Sequence, residues 1–138
     1  TGNCLMDNLT GLMWAKNANL LESATWGEST TGGTAQYMIA QMNTSSSAVG
    51  YHLCGYSDWR LPNIVELQSL VNYSVTQISS TPAAWLNSQG FSNIQANSYW
   101  SSTAYNANSV WFINFSDGRN HSDRSSHTFY VWPIRGGQ

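Results

Sequence analysis

The stretch Asp58-Trp59-Arg60-Leu61-Pro62-Asn63-Ile64-Val65-Glu66 constrains this chain more than any other. Pro62 has no N–H to offer a strand or helix interior, and it holds the preceding residue in an extended conformation. Asn63 stands three residues before Glu66, the spacing of a capping box in which the two side chains cap each other's backbone amides. Ile64, Leu67, Leu70 and Val71 then fall on one helical face. The chain must therefore change from extended to helical at Asn63 and cover that face with another layer. Asp58 and Arg60 flank Trp59, and an ion pair between them is the expected brace for the bend.

Other signals fill in the class. Ala35, Met38, Ile39 and Met42 recur at i, i+3, i+4 and i+7, with Thr34 placed to cap, which predicts another helix. Thr81 to Phe91 reads as a short helical turn ended by Gly90. Leu12 to Ala15 reads as a first strand. From Ser98 onward the period becomes that of strands, through "YWSST", "VWFINF" and Phe129 to Ile134, with a turn at Ser116-Asp117-Gly118. Two helices followed by a β-rich end mean an α+β fold. No internal repeat or linker marks a boundary, so the expectation is one domain over 1–138, a helical scaffold at 1–97 and a β-rich part at 98–138.

Composition narrows the functions. Charged residues are only 9%, against roughly 25% in an average soluble domain, while the chain carries seven Trp and seven Tyr. Such aromatic content provides for a real core and argues against disorder. Five basic residues and a net charge of −2 give nothing for nucleic acid or an anionic membrane to grip. No apolar run approaches the roughly 20 residues that span a bilayer. The chain starts at Thr1 without a visible signal peptide, and reads as a mature or trimmed product.

The chemistry-bearing residues do not assemble into a catalytic set. Cys4 and Cys54 are too far apart for a redox pair or a clustered metal site. A disulfide suits an exported chain, and two separate buried thiols are the alternative. His121, His127 and Asp123 are the right residue types for a metal, but loop histidines among serines are the reading their setting favours. No cofactor is expected. Glu66 looks committed to a helix cap and Asp58 to Arg60, which leaves little for a paired-carboxylate site. Asn8, Asn43, Asn72, Asn114 and Asn120 begin Asn-x-Ser/Thr sequons, an unremarkable number in so polar a chain. Trp14, Trp59, Trp100, Trp111 and Trp132 lie in or beside apolar segments and are expected in the core; Trp26 and Trp85 are less determined.

Taken in order, "TGLMWAK", "GYSDWRLPNIVELQSLV", "YWSST", "VWFINFSDG" and "YVWPIRGGQ" resemble the family named after the C-terminal domain of the collagen-like adhesin of Legionella. The resemblance runs from about Asp7 to Gln138. It implies a C-type-lectin-like fold in an exported or surface protein, two helices packed on a twisted, mainly antiparallel sheet. In the adhesin it implies trimers that bind sulfated glycosaminoglycans; with so few cations this chain is a poor polyanion receptor. Formylglycine-generating enzymes share the broader fold and a similar Trp-Arg-Leu-Pro opener, but their catalytic cysteine arrangement has no match here. The Glu-Pro-Asn-like and Trp-Asn-Asp-like motifs of calcium-dependent lectins are also absent. Members of this fold are moreover targets of diversity-generating retroelements, whose adenine-directed mutagenesis of AAC codons cannot yield Lys, Glu, Gln, Met or Trp. From Phe112 to Val131 none of those five occurs.

The expectation is therefore an exported, non-enzymatic binding or adhesion domain that meets a protein or glycan on another cell or particle. No nucleic acid and no direct membrane insertion are expected, and a homo-oligomer, a trimer by resemblance, is the implied assembly. The expected ligand-binding residues are Tyr105, Asn106, Asn108, Ser109, Arg119, Asn120, His121, Ser122, Asp123, Arg124, Ser125 and His127. The rival readings are a structural or decorating subunit of an extracellular filament or phage particle and, further off, a formylglycine-enzyme-like enzyme.

Overall fold

A computed structural model of the chain describes residues 3–27, 30, 32–72, 81–124 and 126–136. Strand β1 (Cys4–Asp7) turns back into β2 (Leu12–Ala15), and β3 (Ser23–Ala24) precedes helix α1 (Ala35–Thr44). A single 3₁₀ turn at Leu53–Gly55 leads to α2 (Ile64–Gln68) and α3 (Pro82–Ser88). Strands β4 (Ser98–Ala104), β5 (Ser109–Asn114), β6 (Arg119–Arg124), β7 (Phe129–Tyr130) and β8 (Ile134–Gly136) complete the chain. The expected α+β class holds, with three helices among the described residues rather than two. The turn at Thr81 is a true helix because the Thr81 hydroxyl accepts from the Ala84 amide at 3.0 Å and Pro82 sits where no N–H is needed.

Pairing is mostly antiparallel but divided over two sheets, ordered β1-β2-β8 and β3-β7-β4-β5-β6. The expected single strand from Phe129 to Ile134 is what joins them. It leaves the larger sheet after Tyr130, crosses through the buried Val131, Trp132 and Pro133, and enters the smaller sheet at Ile134. Pro133 has no amide to donate to a ladder, so a break in pairing falls naturally there; its carbonyl still accepts from the Ala15 amide at 3.1 Å.

The larger sheet is covered on both faces, as strand alternation requires. Trp100, Val110 and Phe112 face a cluster containing Ile39 and Met42 of α1. Tyr99 and Ile113 face the other, with Leu67 beyond α2's first turn and Ala83 and Leu86 of α3. Trp132 is the hub of this second cluster. It is fully buried, its ring edges meet Trp14, Phe91 and Phe115 at 5.0, 5.2 and 5.9 Å, and its indole N–H donates to the Ala15 carbonyl at 2.8 Å. A large ring with its one polar atom satisfied contributes its whole burial to stability.

Both helix starts foreseen in the sequence form. Thr34 caps α1 through the Tyr37 amide at 3.1 Å, and Asn63 and Glu66 exchange both capping-box bonds at 2.8 Å. Helix α2 ends sooner than its apolar stripe. Leu70 and Val71 remain buried because the chain continues in tighter turns, with Leu70 N–H to Leu67 and Val71 N–H to Gln68.

The brace around Trp59 differs from the expected Asp58–Arg60 pair. Arg60 instead makes a two-pronged bond to Glu66 at 2.8 and 2.7 Å and reaches the Gly136 carbonyl at 2.7 Å. Asp58 binds Arg135 at 2.6 and 3.1 Å, and that guanidinium lies 3.6 Å over the Tyr56 ring. Neighbours that flank a Trp in extended chain share a face, yet each here finds a better-placed partner on another segment, and together the two pairs clamp β8. Partial burial works to raise the Glu66 pKa; the Arg60 bond, the Asn63 amide and the Arg60 charge outweigh it and hold the carboxyl below its ordinary range. Cys4 and Cys54 form a disulfide, Cα atoms 6.6 Å apart, tying β1 to the 3₁₀ turn across 50 residues.

Candidate functional site

Six of the expected ligand-binding residues, Arg119 to Arg124, form strand β6, the edge of the larger sheet. It pairs residue for residue with β5, from Asn114–Arg119 to Ser109–Arg124. The turn that starts it is held by the Asp117 carboxylate, which accepts from the Arg119 amide at 2.9 Å, and by Gly118 at φ 79°. β6 buries little of itself, so its backbone is fixed by β5 while most of its side chains stay exposed.

The register divides the expected site residues between two faces. Asn120, Ser122 and Arg124 pair with Ile113, Trp111 and Ser109; Arg119, His121 and Asp123 pair with Asn114, Phe112 and Val110. On the first face Tyr105, 56% exposed, meets Trp111 edge-on at 5.2 Å. On the second, His121 lies 5.8 Å from the Phe112 ring, and His127 bonds Asp123 at 2.8 Å and approaches Phe129 at 6.5 Å. The run is therefore not one surface but two narrow ones, back to back along an edge. Ser125 lies outside the described residues.

Trp111 corrects the expectation of a core residue. Val110 and Phe112 point into the α1-side cluster, so Trp111 between them points out of it, and it is only half-buried. Alternation was the available signal, and the unbroken apolar run "VWFI" concealed it. Trp14, Trp59, Trp100 and Trp132 are buried as expected. Trp26 donates to the Ser101 carbonyl at 2.9 Å, and Trp85 is half-buried.

The hairpin tip is tightly made. The Tyr105 and Asn106 amides both donate to the Ser109 carbonyl, at 2.9 and 3.3 Å, and Asn106 Oδ1 accepts from the Asn108 amide at 2.9 Å. Asn106 and Asn108 are exposed and Ser109 is half-buried. Behind the tip, β4 carries a register break between Trp100 and Ala104. Buried Ser101 fixes this break, donating to the Trp111 carbonyl at 2.7 Å and accepting from the Thr103 amide at 3.0 Å. The start of α2 docks on the same bulge: Ile64 N–H donates to Thr103 Oγ1 at 3.0 Å and Ser102 N–H to the Pro62 carbonyl at 2.8 Å. "RLPN" and "YWSST" thus act as one device that aims the β4–β5 hairpin.

Electrostatically the edge is open. Arg119 and Arg124 are exposed, and neither makes an ion pair among the described residues. Partial burial works to raise the Asp123 pKa, but the Arg124 amide, the His127 ring and the charges of His127 and Arg124 outweigh it and leave the carboxyl below its usual range. Among the described residues no three His, Cys, Asp or Glu side chains gather to hold a metal, although His121, Asp123 and His127 share a face. Two of the sequons are occupied structurally. Asn43 exchanges bonds with the Trp59 backbone at 2.8 and 2.9 Å, and Asn114 Oδ1 takes the amide and hydroxyl of Ser116. Asn8 and Asn120 are exposed. The Asn72 sequon runs into residues outside those described.

No helix among the described residues is long and apolar enough to cross a membrane. A search of curated proteins finds no match. The family model for the Lcl C-terminal domain matches residues 3–135, nearly the whole chain over which the motifs were read, and the protein belongs to that family.

Proposed function

We propose that this chain is an exported, non-enzymatic binding domain with a C-type-lectin-like fold, an adhesin-like module that meets a protein or glycan partner through the β4–β5 tip and β6. The carrying observation is the pairing of Tyr105 and Trp111, exposed and half-buried, with a neighbouring strand most of whose polar side chains are exposed while its backbone is pinned to a core strand. Aromatic rings supply contact area at small entropic cost, and Asn, Ser and Arg supply adaptable hydrogen bonds around them. Family membership supports the adhesin-like role, and the disulfide suits an oxidising, extracellular setting.

The two faces of β6 divide the work in this reading. Tyr105, Trp111, Ser122 and Arg124 form the primary contact, and His121, Asp123 and His127 form a second patch. The mechanism is many modest polar contacts around an aromatic anchor, on a frame that does not depend on them. A homo-oligomer, a trimer by family resemblance, would multiply such contacts by avidity.

The test is a glycan array and a cell-binding assay with the intact protein beside a Tyr105→Ala/Arg124→Ser variant. Binding by the intact protein and a loss of tenfold or more in the folded variant, equivalent to about 1.4 kcal/mol, is the expected result. Undiminished binding by the variant would remove this surface from the account.

A further inference from the structure

A second site lies away from β4–β6. A cleft of about 540 Å³ opens between the end of β2, the loop that carries Gly50 and the 3₁₀ turn, and the segment around Ser92. Its polar lining is Asn3, Lys16, Asn17 and Ser92; its apolar lining includes Leu20 and Leu53.

The backbone of this lining is already bonded. Lys16 N–H donates to the Asn3 carbonyl and Ser92 N–H to the Lys16 carbonyl, both at 2.9 Å, and Ala18 N–H donates to the Ser92 carbonyl at 2.9 Å. The side chains keep spare donors. Asn17 Oδ1 accepts from the Asn19 amide and from Asn93, which leaves its own NH₂ to donate. The Lys16 ammonium, the Asn3 amide and the Ser92 hydroxyl have no side-chain bond among the described residues, and no carboxylate lines the cleft. A half-buried lysine without a counter-ion, beside three neutral donor groups, is a receptor for one negative charge.

The walls are held in place rather than left to collapse. The Cys4–Cys54 disulfide links the residue after Asn3 to the residue after Leu53. His52 and Cys54, on either side of Leu53, and Asn93, next to Ser92, all take left-handed backbone at φ 46°, 55° and 58°. Non-glycine residues held there cost energy that the surrounding structure must repay. Gly50 at φ 75° lets the loop press onto Leu20 and Met42, where an added Cβ would come within 3.0 and 3.2 Å of their side chains.

We infer that this cleft binds a small organic acid, with its carboxylate on Lys16, Asn17 and Ser92 and a branched apolar body against Leu20 and Leu53. The inference is independent of the partner surface on β6, so either can fail without the other.

N-acetyl-leucine is the probe, titrated into ¹⁵N-labelled intact protein and followed by amide shifts. Saturable shifts at Lys16, Asn17, Leu53 and Ser92 are expected, with a Kd on the order of 1 mM for so small a ligand. N-acetyl-leucinamide, which lacks the charge, and the Lys16→Met variant should each bind about fivefold more weakly or worse, the change expected for loss of one half-exposed ion pair. The Lys16→Met spectrum reports in the same experiment that the variant is folded. Absent or non-saturating shifts, equal binding of the amide, or equal affinity in the folded variant would overturn the site. Inorganic phosphate binding as tightly as N-acetyl-leucine would overturn the assignment to a carboxylate with an apolar body.

Discussion

Arg60 and Arg124 show how differently this chain uses its few cations. Arg60 is half-buried and bound to both oxygens of Glu66 and to two backbone carbonyls, joining the start of α2 to the end of β8. Arg124 is exposed at the tip of an edge strand and binds no carboxylate among the described residues. With charge this scarce, the difference teaches where the fold is specified. The frame of Trp59, Arg60, Pro62 and Glu66 together with Trp132 is over-determined, and β6 has its backbone positioned but the side chains on its Trp111 face unspent.

The largest loss belongs to the hub. Trp132→Ala should cost roughly 3–5 kcal/mol or leave the domain unfolded, because the ring fills a site lined by four other aromatics. Trp111→Ala, at a half-buried ring beside the exposed Tyr105, should cost less than half as much. Chemical denaturation of the two variants side by side checks this, and equal losses would erase the distinction between frame and surface. Next is the disulfide. Cys4→Ser/Cys54→Ser should lose about 4 kcal/mol if loop entropy over 50 residues is the main term. A loss under about 1 kcal/mol, well below the usual range, would mean that β1 is already held by its pairing with β2.

Glu66→Gln sharpens the frame side. Removing the carboxylate leaves Arg60 half-buried without its partner and should cost about 2 kcal/mol near neutral pH. Because the Glu66 pKa is lowered on folding, its contribution is present above the unfolded carboxylate range and is lost as pH falls through the folded value. The gap between wild type and variant should therefore be constant above about pH 5 and close below about pH 4. A gap that widens in acid would contradict the sign. Asn63→Ala, which removes one cap bond, should cost about 1 kcal/mol, read as a shift in the denaturation midpoint.

Much of the frame was legible because its signals are local. The Asn63–Glu66 capping box, the Thr34 cap, the α1 stripe and the stop at Gly90 each depend on residues within one or two turns of each other. What the sequence hid depends on long-range pairing. Arg135 finds Asp58 across 77 positions, and Arg60 finds the Gly136 carbonyl across 76. Strand β1 went unseen because four residues with little alternation carry no period; it exists through pairing with β2. The candidate site was legible as a segment but not as a surface. Its division into two faces needs the register with β5, and Trp111 joins it only once Val110 and Phe112 are known to point away.

The most direct test of the central claim replaces three side chains on the Trp111 face of β6 while keeping strand propensity, in the variant Asn120→Thr/Ser122→Thr/Arg124→Thr. If these side chains are unspent, each change should stay within about 0.5 kcal/mol. The thermal midpoint should then move by no more than about 5 °C, given the usual conversion for a domain of this size. A midpoint that falls as far as that of Trp132→Ala would show that β6 side chains hold the fold, and would contradict the account.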